Sequence, residues 1–225
     1  MKHFAPMFEL DDSIFCVSAF NHLSYPHTAK DPTLVYRVKS YPAYGWMMSR
    51  EKVEYIVPKF LPDKIDQDWD YFIGSELIMN KMEILIPDIN RSYHWAIGGV
   101  HNKGSLGAEE AYLSRTINRK TNVSYMALDS LTKTNYESKF SEEVKLAEVV
   151  SLNNDFTNFS IPLQKGKYYK LYIRLHNTSD LAGFQIIAEM LHIWYNDIRD
   201  HHNYAWKLNY MDAILFIIGV PLSPY

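Results

Sequence analysis

The run from Tyr168 to His176 constrains the fold more than any other stretch of this chain. Tyr169, Leu171, Ile173 and Leu175 alternate with Tyr168, Lys170, Tyr172 and Arg174. A period of two places one apolar row on a core and leaves an amphipathic row for water or a partner. The preceding run, Phe156 to Leu163, is rich in aromatic and β-branched residues and is closed by Pro162, and Gln164-Lys165-Gly166-Lys167 supplies a polar turn. The two runs are predicted to form a hairpin.

Phe184 to Tyr195 fits two periods. As a helix, Leu181, Phe184, Ala188, Leu191, Tyr195 and Ile198 make a buried stripe. As a strand, Phe184, Ile186, Ala188, Met190, His192 and Trp194 share one face. Gly183 would sit in the first helical turn, and Ile186 and Ile193 lie off the helical stripe. A strand buried on both faces accommodates all three, so strand is the expectation. If residues 180–198 are helical instead, the fold becomes α+β.

Further strands are expected at Ile14–Phe20, Thr33–Lys39, Lys52–Val57, Tyr93–Val100, Val123–Leu128, Val144–Leu152 and Ala213–Val220. A second hairpin is expected within Glu76–Ile86 and a short helix at Ala108–Ile117. Many short strands separated by polar turns argue for a mainly β fold. The expected architecture is an antiparallel, jelly-roll-like β-sandwich with few short helices, one domain over residues 1–225.

Composition narrows function chiefly by exclusion. Net charge is −3 and no Lys/Arg cluster resembles a nucleic-acid arm. Cys16 is the only cysteine and lies in an apolar run, which excludes a disulfide framework and favours a buried, inert thiol. The longest apolar run, Ala213 to Val220, is too short to span a bilayer, and the N-terminal segment lacks the apolar core of a signal peptide. The expectation is a cytoplasmic protein, or one in a particle assembled there, without nucleic-acid or membrane partners.

Candidate chemistry is sparse. Asp66, Asp68 and Asp70 alternate as calcium ligands do, but Tyr71 occupies the position that needs glycine and Glu76 falls one residue short of the bidentate place. A solvated acidic loop is expected there, with no metal. Asp197, Asp200, His201 and His202, with His192 nearby, form the densest titratable cluster; adjacent histidines on a strand face opposite ways, so a polar surface turn is expected. No zinc-protease, cupin, nucleophile-elbow or phosphate-loop pattern occurs. No catalytic residue and no cofactor is assigned.

Aromatics stand out: 15% of the chain, with 17 tyrosines and 5 tryptophans. Three groups beside turns are candidate ligand-binding residues: Tyr44 with Trp46, Trp69 with Tyr71, and Tyr93 with Trp95. Beside aspartates they suit a sugar ring, and equally a protein interface. The apolar chain ends, with Phe4, Met7, Phe8 and Leu10 at one and Val220 to Tyr225 at the other, suit burial against a neighbour. The expected function is a non-enzymatic structural subunit of a larger assembly, such as a virion capsid, neck or tail component, whose partners are other subunits of that assembly. A carbohydrate- or receptor-binding β-sandwich module is the alternative, and a metal-dependent jelly-roll enzyme the third reading.

Overall fold

The computed structural model describes residues 2–39, 44–59, 69–79, 81–94 and 112–225; within 69–79 the side chains of Trp69, Tyr71, Leu77, Ile78 and Met79 fall outside that set. Two four-stranded mixed sheets and several helices make up the fold, not a jelly-roll. Helix amounts to 28% and strand to 24%, which excludes a mainly β class.

The first sheet contains β1 (Ile14–Ser18), β2 (Val35–Val38), β3 (Trp46–Met47) and β4 (Glu83–Pro87) in the order β2-β4-β1-β3. β1 runs parallel to β4, while β2 and β3 pair antiparallel to β4 and β1. Every residue of β1 and β4 is buried. Strands covered on both faces read as continuous apolar runs rather than as alternation.

The second sheet is β5 (Glu148–Val149), β6 (Tyr168–Leu175), β7 (Ala205–Tyr210) and β8 (Ala213–Pro221), ordered β5-β6-β8-β7. β6 buries Tyr169, Leu171, Ile173 and Leu175, as its alternation predicts. Its neighbours are β5 and β8, both parallel to it, so the expected hairpin with Phe156–Leu163 does not form. Phe159 contributes only an isolated bridge to Leu152. The alternation fixes the buried face but carries no information on strand direction.

The short helix α1 (Met7–Leu10) precedes β1, and four longer ones correct or extend the sequence reading. α2 (Arg50–Ile56) replaces the strand expected at Lys52–Val57: the Ser49 hydroxyl accepts from the Lys52 N–H and caps it. α3 (Trp69–Met79) takes the first half of the expected second hairpin. α4 (Lys133–Leu146) buries Tyr136, Phe140 and Val144 at four-residue spacing.

α5 (Ala182–Met190) replaces the strand expected from Phe184. Phe184, Ile187, Ala188 and Leu191 are buried, whereas Ile186 is 44% exposed and Ile193 lies beyond the helix end. Gly183 is there because a Cβ would strike the Arg174 backbone of β6, so glycine permits close helix–strand packing.

One apolar cluster joins the two sheets. Ile14, Val17, Val35 and Leu85 of the first meet Tyr136, Phe140 and Val144 of α4 and Ala205, Phe216 and Ile218 of the second. Phe4 and Met7 pack into this same core, and Tyr225 packs on Phe140 with ring centroids 4.8 Å apart. Both apolar chain ends therefore fold onto the chain itself. Inside this region Arg37 has no exposure; it donates from Nε to Glu83 (2.7 Å) and from Nη1 to Asp11 (2.7 Å) and to the Leu131 carbonyl (2.7 Å). Cys16 is buried, and burial pushes its thiol pKa up, as expected of an inert cysteine. Among the described residues, no helix is long and apolar enough to cross a membrane.

Candidate active site

Because β1 and β4 are parallel, both end at the same edge of the first sheet. Ligands of open α/β sheets bind outside the carboxyl ends of such strands. The loops that leave these two strands are tied together by side chains. The Asn21 N–H donates to Asn90 Oδ1 (2.6 Å), and Asn21 Nδ2 donates to the carbonyls of Pro87 (3.0 Å) and Asp88 (3.1 Å). Asp88 accepts from the N–H groups of Lys30 (2.8 Å) and Asp31 (2.9 Å) and from the Tyr36 hydroxyl (2.8 Å). Burial raises the Asp88 pKa to about 6, against the lowering effect of those donors.

His22 follows directly and has no exposure. Its N–H donates to Asp200 Oδ2 (2.6 Å), its Nδ1 faces the same oxygen (3.3 Å), and its Nε2 lies 3.2 Å from Arg199 Nη1. The His22 carbonyl accepts from Arg115 Nε (2.8 Å). Burial holds the imidazole below its ordinary pKa despite Asp200. Burial also works to raise Asp200, but His22 and Arg199 outweigh it and keep the carboxyl low. The expected surface turn at Asp197–His202 is therefore corrected: Asp200, His201 and His202 are all buried.

Aromatic rings enclose this centre. Tyr44 and His94 lie 4.0 Å apart, His94 and Tyr112 4.4 Å, and Tyr112 and Trp194 5.7 Å. The Tyr44 and Tyr112 hydroxyls are 3.4 Å apart. The Arg115 guanidinium sits over Phe20, Tyr25, Tyr112 and Trp194, 4.7 to 5.4 Å from their centroids. Arg199 donates from Nε to both Asp197 oxygens, and the Trp194 indole N–H donates to the same carboxylate. Asp70, half-buried in the first turn of α3, is near enough to Tyr44 to add to the burial and the Tyr112 bond that raise its phenol pKa. Gly45 keeps the Tyr44 loop in place: at φ +62° a Cβ would lie 2.7 Å from the Ser92 Cβ.

A cleft of about 400 Å³ opens beside the end of β1. Ser18 and Ala19 line it, and they also bond to the Tyr44 loop: Ser18 Oγ donates to the Tyr44 carbonyl (3.3 Å) and the Ala19 N–H to Gly45 (2.8 Å). Lys2, His3 and Arg91 line it too, and among the described residues no carboxylate does.

Of the aromatic candidates, Tyr44 is a member of the cage. Trp46 is half-buried beside the cluster of Phe15, Ile56 and Ile84, and Tyr93 is 38% exposed next to His94. The side chains of Trp69 and Tyr71, and all of Trp95, Asp66 and Asp68, lie outside the described residues. Among the described residues no group of three or more His, Cys, Asp or Glu is placed to hold a metal. Sequence reasoning missed His22, His94, Tyr112, Arg115 and Trp194. His22 carried a usable signal, since it stands just past the carboxyl end of a buried strand.

A mixed α/β chain with a buried, charged and aromatic centre outside the ends of parallel strands has that centre where open α/β sheets bind ligands. The chain belongs to the GNT-I family, whose sequence signature matches residues 1–210. That membership indicates a glycosyltransferase, N-acetylglucosaminyltransferase I giving the family its name, and hence an enzyme. It overturns the expected virion subunit and, with it, the non-enzymatic binding module and the jelly-roll enzyme.

Proposed function

We propose that this chain transfers a sugar, N-acetylglucosamine in the first instance, from a phosphate-activated donor to a hydroxyl of a glycan acceptor. The carrying observation is the cage of Tyr44, His94, Tyr112 and Trp194, with Asp197 bonded to Trp194 and Asp70 near Tyr44, at the strand ends of a GNT-I family chain. Aromatic faces stack on the apolar faces of sugar rings while the charged groups beside them bond hydroxyls. The acceptor occupies the cage, and the aromatic residue Tyr44 read from the sequence serves there. The donor's phosphates occupy the cleft beside the end of β1, where Lys2 and Arg91 oppose their charge.

In the reaction the acceptor oxygen bonds to the anomeric carbon. The carbon–oxygen bond to phosphate breaks, and phosphate departs with the electron pair. The hydroxyl proton goes to a carboxylate. We assign it to Asp70, half-buried near Tyr44 in the first turn of α3.

The test is incubation with UDP-N-acetylglucosamine and a panel of methyl glycosides, with products weighed by mass spectrometry. Transfer is expected to at least one glycoside. Asp70→Asn should cut the rate by about 10²- to 10⁴-fold, the usual worth of a positioned base, at unchanged thermal stability. An Asp70→Asn variant of full activity removes the assigned base; a wild-type chain that transfers to no acceptor removes the function.

A further inference from the structure

Resting on the transferase reading, we propose that Arg199 is the cage's substrate-facing cation, bonding hydroxyl oxygens of the acceptor sugar, and that His22 is the residue that positions it. Arginine only donates hydrogen bonds. The 3.2 Å contact from Arg199 Nη1 therefore requires a lone pair on His22 Nε2 and puts the ring proton on Nδ1, facing Asp200. Asp197 holds the other side of the guanidinium through Nε, at 2.8 and 2.7 Å. A guanidinium gripped on two edges keeps one geometry, and its side chain is still 28% exposed, beside Tyr44. A pre-oriented donor of this kind costs little reorganisation when a substrate arrives.

His22 is not itself a contact for substrate, since it has no exposure. The groups that face it are Asp200, Arg199, Arg115, His94 and the rings of Phe20, Tyr44 and Trp194. A proton added to Nε2 would point at Arg199 and displace it. Burial and the two arginines keep the ring neutral against the pull of Asp200. Protonation of the ring in acid should therefore release Arg199.

Two substitutions separate the ring nitrogens. His22→Asn keeps an amide donor where Nδ1 meets Asp200 but offers nothing to Arg199. His22→Gln places an acceptor near the Nε2 position. The guanidinium ¹⁵N spectrum of the full chain should show slowed Nη rotation for Arg199 in the wild type and His22→Gln, and averaged signals in His22→Asn. With UDP-N-acetylglucosamine and an accepted methyl glycoside, His22→Asn and Arg199→Lys should raise the acceptor KM about 10- to 100-fold, the scale for a displaced positioning group, and leave the donor KM unchanged. His22→Gln should stay near wild type, and the acid limb of its pH profile should move. Equal behaviour of the Asn and Gln variants, or a change in donor KM alone, overturns the proposal. If His22→Asn does not fold, Arg199→Lys decides, and an unchanged acceptor KM overturns it. If the wild type transfers to no acceptor, the transferase reading fails, and the ¹⁵N spectra still decide whether His22 holds Arg199.

Discussion

The two sheets are held by different physics. The second is packed mainly by apolar side chains, with Lys207 paired to Glu143 at its margin: β6 and β8 pair over their whole length, and α5 closes them with Phe184, Ile187, Ala188 and Leu191. The first encloses ions and amides. Arg37 sits between Glu83 and Asp11 with no exposure, Asn21 and Asn90 tie two loops together, and Asp88 gathers three donors. Burying such groups lowers stability unless every partner is in place. The sheet that carries them is also the one whose strand ends carry the site. The comparison teaches that the buried polar groups of the first sheet fall at both of its edges: Asn21, Asn90 and Asp88 order the loops at the carboxyl ends of β1 and β4, whereas Arg37, Glu83 and Asp11 hold the opposite edge together.

The largest expected effect sharpens this contrast. Arg37→Met strands the Glu83 carboxylate in the core, and loss of one partner of a buried pair costs about 3–5 kcal/mol. Leu191→Ala in the second sheet's core, at 0% exposure, should cost about 2–5 kcal/mol through its cavity. Denaturant unfolding measures both. A loss in Arg37→Met no larger than that of a surface substitution, with Leu191→Ala costing its full amount, would break the comparison.

Acid sensitivity comes next. Burial lowers His201 to about 4 and His202 to about 3. Both are neutral when folded and protonate near 6.5 when unfolded. Their contribution is thus present above about pH 6.5 and is lost as pH falls toward those folded values, at about 1.4 kcal/mol per unit and residue. Asp88 acts oppositely: raised to about 6, it favours the fold as pH falls from there toward 3.8. One carboxyl does not offset two histidines, so net acid destabilisation is expected. His202→Phe, in the ring pocket of Tyr136, Phe140 and Tyr225, should flatten the acid limb and leave stability at pH 7 within about 1 kcal/mol. A midpoint-versus-pH curve that keeps its wild-type slope would remove His202 as the cause.

What was legible in the sequence follows the same divide. The buried face of β6, the closing strand β8 and the runs at β1 and β2 follow from local pattern. α5 does not, because Ile186 mimics a strand face although it points to solvent, and Gly183 mimics a helix breaker although it serves close packing on Arg174. α2 was hidden by alternation at Lys52–Val57, although Ser49 marked its start. Strand direction depends on partners far along the chain, as β6 and β8 show, and no local period encodes it. The site was hidden for a related reason. Tyr44 was visible as an aromatic turn, but His22, His94, Arg115 and Arg199 come from separate segments that only the fold brings together.

The central claim is that substrate binds at the carboxyl ends of the first sheet and against Trp194–Asp200. Side-chain NMR of the full chain during titration with an accepted methyl glycoside tests it most directly. The account predicts shifts confined to His94, the Trp194 indole and the Arg199 guanidinium, with the Trp206 indole in the second sheet's core unmoved. Shifts at Trp206 without any at Trp194 or His94, while sugar transfer proceeds, would contradict it.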